Sequence, residues 1–269
     1  MKIFGISLFL QKLKIMSKTV FITGGSKGIG RATVKKFYNE GYNVAFTDIN
    51  KAKAEELIAE LPERERVIFI QADTKSLEEM EQAAKRVHER FGAIDSLVCN
   101  AGIHRCNTML DINIEEFDLI VKTNIYGTFH TLRAVVPYIV NGGGGSVVLN
   151  DSDQWFVGKP NSFAYGLTKG AIGQITRSLA VDLGPKGIRV NAVCAGTIKT
   201  DLVNDLFKDF ARVENKNIEE YWDQENGLYA RGSAGEPEEV AELIYFLASE
   251  KASFCTGGHY LCDGGLVAR

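Results

Sequence analysis

The stretch Thr19-Val20-Phe21-Ile22-Thr23-Gly24-Gly25-Ser26-Lys27-Gly28-Ile29-Gly30 sets a glycine-rich turn between an apolar run and a helical pattern that continues to residue 39. Glycines let a chain turn sharply and approach a ligand closely. The helix after the turn presents free N–H groups and a partial positive charge at its N-terminus. A strand, such a turn and a helix in that order form a cradle for a diphosphate. Glycine-rich turns are common, so the weight of this one depends on the residues downstream.

Beyond the turn the chain alternates without a break. Apolar runs that read as buried strands fall at 20–23, 44–47, 67–71, 96–99, 146–150, 189–194 and 259–261, with amphipathic stretches near 29–39, 51–60, 76–90, 114–139, 162–183 and 237–248. Strands alternating with helices call for a parallel sheet covered on both faces. Right-handed crossovers make it an α/β, doubly wound, Rossmann-type sheet of seven strands in the order 3-2-1-4-5-6-7. A single domain over 17–269 is expected, since no linker or shift of composition splits the chain.

Two segments depart from the alternation. Residues 1–16 read as an N-terminal extension, either dispensable or a misassigned start ahead of Met16-Ser17-Lys18. Its apolar run, residues 3–10, is far below the roughly 18 residues of a membrane span, and no small-residue cleavage site comes after it. Residues 197–232 come after the sixth strand and hold Leu202, Phe207, Phe210, Tyr221, Trp222 and Tyr229 among charged residues. That position suits a substrate lid, and aromatics there equally suit a pair of surface helices filling a groove.

Composition narrows the function. The 269 residues are 45% hydrophobic and 24% charged with a net charge of −3, which describes a globular protein with no basic stripe for nucleic acid. The five cysteines are odd in number and lack metal-ligand spacing, so reduced thiols, no metal and a cytoplasmic location are expected. No membrane partner is expected.

Three features carry chemistry. Asp48 ends the second strand, 18 residues after Gly30, where a carboxylate accepts hydrogen bonds from adenosine ribose hydroxyls and repels a 2′-phosphate. The competing reading is an N-cap for the helix beginning near Lys51. Lys27 cuts the other way, as a cation able to meet a 2′-phosphate. Tyr165 and Lys169, at i and i+4 of a helix, share one face. A phenol with an ordinary pKa of about 10 needs about 4 kcal/mol of preferential support to ionise at neutral pH, and a neighbouring ammonium is one source of it. Ser152 stands 13 residues before Tyr165, just past the fifth strand, where its hydroxyl can hold a reacting oxygen.

With these in place the chain resembles the short-chain dehydrogenases/reductases of single-domain type over essentially Ser17 to Arg269. The family's TGxxxGxG matches Thr23 to Gly30, its NAG turn Asn100-Ala101-Gly102, and its helix asparagine Asn124. Its Ser-x12-Tyr-xxx-Lys set matches Ser152, Tyr165 and Lys169, and its late VDGG-like element Cys262 to Gly265. The resemblance implies Tyr165 as general acid/base, Lys169 as the residue that binds the nicotinamide ribose and assists the phenol, and Ser152 as orienting donor. It implies Asn124 at a helix kink that holds a relay water. It also implies cofactor contacts at Gly24, Ser26, Lys27, Gly28, Ile29 and Gly30, at Asp48, Asp73, Thr74, Asn100 and Gly102, and at Ile198 and Thr200. A homotetramer is implied as well.

Departures from the family pattern mark the pocket. Ala195-Gly196 replaces the usual Pro-Gly, and Asp153-Gln154-Trp155 replaces small residues after the serine. Together with Ser152, the residues Gln154, Trp155 and His104 are expected to meet the substrate, with Arg105 on the same rim. The expected function is NAD(H)-dependent interconversion of a secondary alcohol and a ketone, NADP not being excluded. The alternatives are an NADPH-dependent reductase of 3-oxoacyl thioesters and a non-catalytic nucleotide-sensing protein.

Overall fold

A computed structural model describes residues 17–268; the extension expected at 1–16 lies outside the described residues. The strands are β1 (Thr19–Thr23), β2 (Asn43–Asp48), β3 (Val67–Gln71), β4 (Ser96–Cys99), β5 (Gly145–Ser152), β6 (Ile188–Ala195) and β7 (His259–Cys262). They form one sheet in the order β3-β2-β1-β4-β5-β6-β7, parallel at every pairing, as the alternation required. The order reverses between β1 and β4, which opens a crevice beyond their carboxyl ends.

The helices in chain order are α1 (Gly28–Asn39), α2 (Lys51–Ala59), α3 (Leu77–Phe91), α4 (Ile114–Val121), α5 (Gly127–Asn141), α6 (Phe163–Leu183), α7 (Asp201–Glu214), α8 (Ile218–Gly227) and α9 (Pro237–Ala248). Each face of the sheet has its own core. On one face Val34 and Phe37 of α1, Leu57 of α2 and Ile244 and Leu247 of α9 cover Val20, Ile22, Val44 and Val148. On the other Met80 of α3, Val135 of α5 and Ile172 of α6 cover Phe21, Leu97, Val147 and Val190. Burial on both faces explains why the strands read as continuous apolar runs instead of alternating ones.

Two boundaries differ from the sequence expectation. Strand β5 runs through Asp151 and Ser152, because β6 pairs with it residue for residue from Gly145↔Ile188 to Ser152↔Ala195. The ladder overrides the turn-like polarity of Asn150, Asp151 and Ser152. The helix expected over 114–139 is broken by one π turn at Lys122–Tyr126, which holds Asn124. Residues 197–232 contain the two helices α7 and α8, and their aromatics pack between them. Phe207 meets Trp222 edge-on at 4.8 Å, and Trp222 Nε1 donates to Asn204 Oδ1 at 3.2 Å. All five cysteines are free thiols.

Candidate active site

The glycine turn is braced from behind by β4. Gly24 has φ +65°, and a Cβ on Gly30 would lie 1.9 Å from the Gly24 carbonyl oxygen, so neither position admits a side chain. Asn100 Nδ2 donates to the carbonyls of Thr23 and Gly24 at 3.1 and 2.9 Å, and Thr23 Oγ1 accepts from the N–H groups of Asn100 and Ala101. Asn100, expected on the adenine-ribose side, thus commits its amide to the turn itself. Gly102 gives room to Asn124, whose Oδ1 would sit 3.3 Å from a Cβ there.

The turn fits a dinucleotide diphosphate. The side chain of Lys27, at the N-cap of α1, caps no N–H group, so the helix start stays open beside Gly28 and Ile29. Ser26 Oγ is buried in the turn without a protein partner, a hydroxyl aimed at nothing the chain supplies. Thr200, at the start of α7, overhangs Gly28, its Cγ2 2.9 Å from where a Cβ would stand. Ile198, just before it, is buried and bridges to Gly235.

Asp48 is not the helix cap. Asn50 caps α2, accepting from Lys53 N at 3.1 Å. Asp48 Oδ2 accepts from Ser26 N at 3.0 Å and Oδ1 from Asn50 N at 2.9 Å, so the carboxylate faces the glycine turn. Lys27 points elsewhere, its Nζ 3.7 Å from Asp201 Oδ2 in a half-exposed pair. Beyond β3, Asp73 closes a local turn by accepting from Lys75 N at 2.9 Å. Thr74 is buried against Gly127 at the start of α5, and its carbonyl meets His130 Nδ1 at 3.0 Å.

The Ser/Tyr/Lys set gathers at the end of β5. Lys169 Nζ donates to the Asn150 carbonyl at 2.7 Å and stands 5.3 Å from the Tyr165 ring centroid. Lys169 and Ser152 are buried, and Tyr165 is half-buried. Asn124 is buried and makes three side-chain hydrogen bonds. Its Nδ2 donates to the Ile103 carbonyl at 2.9 Å and to Thr168 Oγ1 at 3.0 Å, while its Oδ1 accepts from Ile103 N at 2.8 Å. The kink expected around Asn124 is present, and its side chain clamps the loop after β4 to α6.

The pocket residues divide. His104 lies on Tyr165 with ring centroids 4.2 Å apart and planes at 25°, and its Nε2 is 3.0 Å from Ser162 Oγ. Burial, reinforced by Lys159, Lys169 and Arg105, pushes His104 down to about 4, so it is neutral at physiological pH. Gln154 donates its backbone N–H to Ser152 Oγ at 3.2 Å and lays its side chain over Gly166. Trp155 turns outward along α6. It abuts Gly173, stacks on His259 at 5.1 Å and carries Arg177 at 4.9 Å from its ring. It packs there and also lines the neighbouring cavity. That cavity, of about 370 Å³, is lined by Trp155 together with Gln154, Phe156, Lys159, Ser162 and Leu167.

Sequence reasoning passed over four residues. Asn150 receives Lys169 through its carbonyl and bonds Asn100 Oδ1 through Nδ2 at 2.9 Å. Ser162 pins His104, and Lys159 pairs with Asp153 at 2.8 Å. Asp151 is buried with both carboxylate oxygens unpartnered, and burial pushes it up to about 7 against the opposing pull of Lys169. Asp151 was hidden because its place in β5 shows only in the pairing with β6; the others depend on contacts between elements. Among the described residues no cluster of His, Cys, Asp and Glu could hold a metal ion, and no helix is long and apolar enough to cross a membrane.

Comparison with known proteins agrees with this geometry. A family model described as enoyl-(acyl carrier protein) reductase matches residues 24–267. Oxidoreductase UcpA of Salmonella typhimurium is 35% identical over 260 residues, covering 94% of this chain and 95% of that protein. The structure of a short chain dehydrogenase family protein from Francisella tularensis is similar at a TM-score of 0.84 with 35% identity, over 94% of this chain and all of that one. ElxO with NADP bound is similar at a TM-score of 0.84 with 30% identity, over 94% and 100% of the two chains.

Proposed function

The chain belongs to the short-chain dehydrogenase/reductase family of NAD(P)-dependent oxidoreductases, and on that premise we propose that it interconverts a secondary alcohol and a ketone using NAD(H). The observation that carries this reading is that Lys169, beside the Tyr165 ring, bonds the Asn150 carbonyl near the carboxyl end of β5, the strand that Ser152 ends.

Gly24, Ser26, Gly28, Ile29 and Gly30 would hold the diphosphate, with Asp48 at the adenosine ribose and Lys169 at the nicotinamide ribose. The nicotinamide, when bound, accepts or returns the hydride. In the oxidising direction Tyr165 takes the proton of the alcohol at its phenol oxygen, as general base, and returns it as general acid in reduction. Lys169 sets a buried positive charge beside that ring. Ser152 holds the substrate oxygen, and His104 covers one face of the phenol. The polar rim of His104, Arg105, Gln154 and Lys159 suits a hydroxylated substrate such as a sugar or polyol.

Asp48 supports NAD over NADP, because its carboxylate faces the turn while Lys27 is drawn toward Asp201. The family model's description favours one other reading, an NADPH-linked reductase of acyl thioesters. Exposed Tyr126, Phe129, Phe163 and Leu167 support subunit pairing along α5 and α6, and with it a homotetramer. Light scattering that gives a monomer mass rejects the tetramer.

The test of function is a panel of secondary alcohols, sugars and ketones followed by NADH absorbance, with Tyr165→Phe as control. Turnover is expected for the wild type. The variant is expected to lose it while still binding NADH. A variant that keeps a tenth or more of the wild-type rate refutes the role of Tyr165.

A further inference from the structure

The backbone ladder that joins β1, β4 and β5 stops short of the glycine turn. Its last pairs are Ile22↔Val98 and Cys99↔Leu149, and beyond them lies the crevice. Side-chain amides continue the crosswise bonding there. Asn150 Nδ2 donates to Asn100 Oδ1 at 2.9 Å, and Asn100 Nδ2 donates to the carbonyls of Thr23 and Gly24 at 3.1 and 2.9 Å. The direction of this chain is fixed from its far end. Backbone carbonyls can only accept, so Asn100 turns its nitrogen to them and its oxygen to Asn150, which must answer with Nδ2.

Asn150 also holds the other end of the site. Its carbonyl accepts from Lys169 Nζ at 2.7 Å. An ammonium has three hydrogens, so two remain for the nicotinamide ribose. One residue thus joins the two places where the cofactor would be gripped. These are the glycine turn at the end of β1 and Lys169 at β5, two strand spacings or about 10 Å away. A ligand held at two points gains affinity to the degree that the spacing of its two anchors is fixed.

We propose that Asn150 is a positioning residue that keeps Lys169 and the glycine turn at a fixed spacing, so that both grip one dinucleotide at once. This rests on the reading of Lys169 as the anchor of the nicotinamide ribose. Asn150 Oδ1 is buried without a protein partner, so an apolar side chain of the same shape gives up only the bond to Asn100. The backbone carbonyl that receives Lys169 stays in place in any such variant.

The test compares ADP-ribose, which spans both anchors, with ADP, which reaches the glycine turn alone. Each is titrated into the full-length protein by calorimetry. Loss of a neutral hydrogen bond is worth about five- to tenfold in affinity. Asn150→Leu is expected to weaken ADP-ribose by about that factor and to leave ADP unchanged. Asn150→Thr has a branched side chain that suits a strand and a hydroxyl that stops one bond short of the amide nitrogen. It is expected to act in the same way should the leucine variant fail to fold. In a Lys169→Met background, where one anchor is gone, the effect of Asn150→Leu should vanish. Equal weakening of ADP and ADP-ribose overturns the proposal, because it places the effect in the turn alone. So does an effect that persists without Lys169, an ADP-ribose affinity that neither Asn150 variant changes, or a wild type that binds neither nucleotide. Failure of the functional reading shows separately, as absent turnover in the NADH panel from protein that still binds ADP-ribose.

Discussion

His104 lies flat against Tyr165, with ring centroids 4.2 Å apart and an interplanar angle of 25°, and Ser162 fixes the far edge of the imidazole. The stack limits the swing of a phenol that must meet substrate at its rim. His104→Ala opens that space, and kcat is expected to fall about tenfold with a smaller change in KM, in line with the sensitivity of such steps to positioning. His104→Phe keeps a ring on the phenol and loses only the bond to Ser162, so it should retain most of the rate. Steady-state kinetics of the two variants checks this, and equal losses would show that stacking is not what matters.

Asp151 and His104 give the stability opposite dependences on pH. Asp151 is raised from 3.8 to about 7 in the folded protein, so the folded state holds the extra proton between those values and stability falls as pH rises through them. His104 is lowered from 6.5 to about 4, so the unfolded state holds the extra proton there and stability falls as pH drops. The ceilings are about 4 and about 3 kcal/mol, since each tenfold change in proton affinity is worth about 1.4 kcal/mol. The wild type should therefore vary little between pH 4 and 7. Asp151→Asn should lose stability on acidification, and His104→Asn on alkalinisation. Denaturant midpoints across that range test both slopes.

Much of the fold and site is legible in the sequence, and the rest is hidden for identifiable reasons. The glycine turn, Asp48, Ser152, Tyr165 and Lys169 stand out because each sits at a fixed distance along the chain from a strand end, and the strand pattern is set by burial on both faces. The far end of β5 is hidden because Asn150-Asp151-Ser152 has turn chemistry that only pairing with β6 overrides. The engagement of Asn124 and Asn100 is hidden because their partners are Ile103, Thr168, Thr23 and Gly24, contacts between elements. The packing of Trp155 is hidden because the space that receives its indole is made by the absence of a side chain at Gly173, eighteen positions away.

Asp48 performs two tasks that one substitution separates. Its carboxylate accepts from the N–H groups of Ser26 and Asn50, and its charge faces the glycine turn. Asp48→Asn retains one acceptor oxygen and removes the charge. The ratio of kcat/KM for NADH over NADPH is expected to fall about tenfold, the equivalent of about 1.4 kcal/mol of relieved repulsion. Initial rates with each cofactor measure it, and a wild type that already prefers NADPH strongly would overturn the assignment of Asp48.

Two glycines three residues apart on α6 should respond oppositely to alanine. A Cβ on Gly173 would lie 2.5 Å from Trp155 Cε3, whereas one on Gly170 meets nothing within 4 Å. Gly170→Ala removes the helix penalty of glycine and should stabilise by about 0.5–1 kcal/mol. Gly173→Ala gains the same propensity but forces the indole off the helix and disturbs its packing on His259 and Arg177. Overpacking of that kind costs about 1–3 kcal/mol, more than the propensity returns. Trp155 is joined to Ser152 through the short turn over 153–155, so the displacement should also reach the reacting end of the pocket. Gly173→Ala is therefore expected to lower both the melting temperature and kcat, and Gly170→Ala to raise the first without touching the second. Melting curves and rates measured side by side decide it, and stabilisation by both alanines would mean that the indole does not fill the space at Gly173.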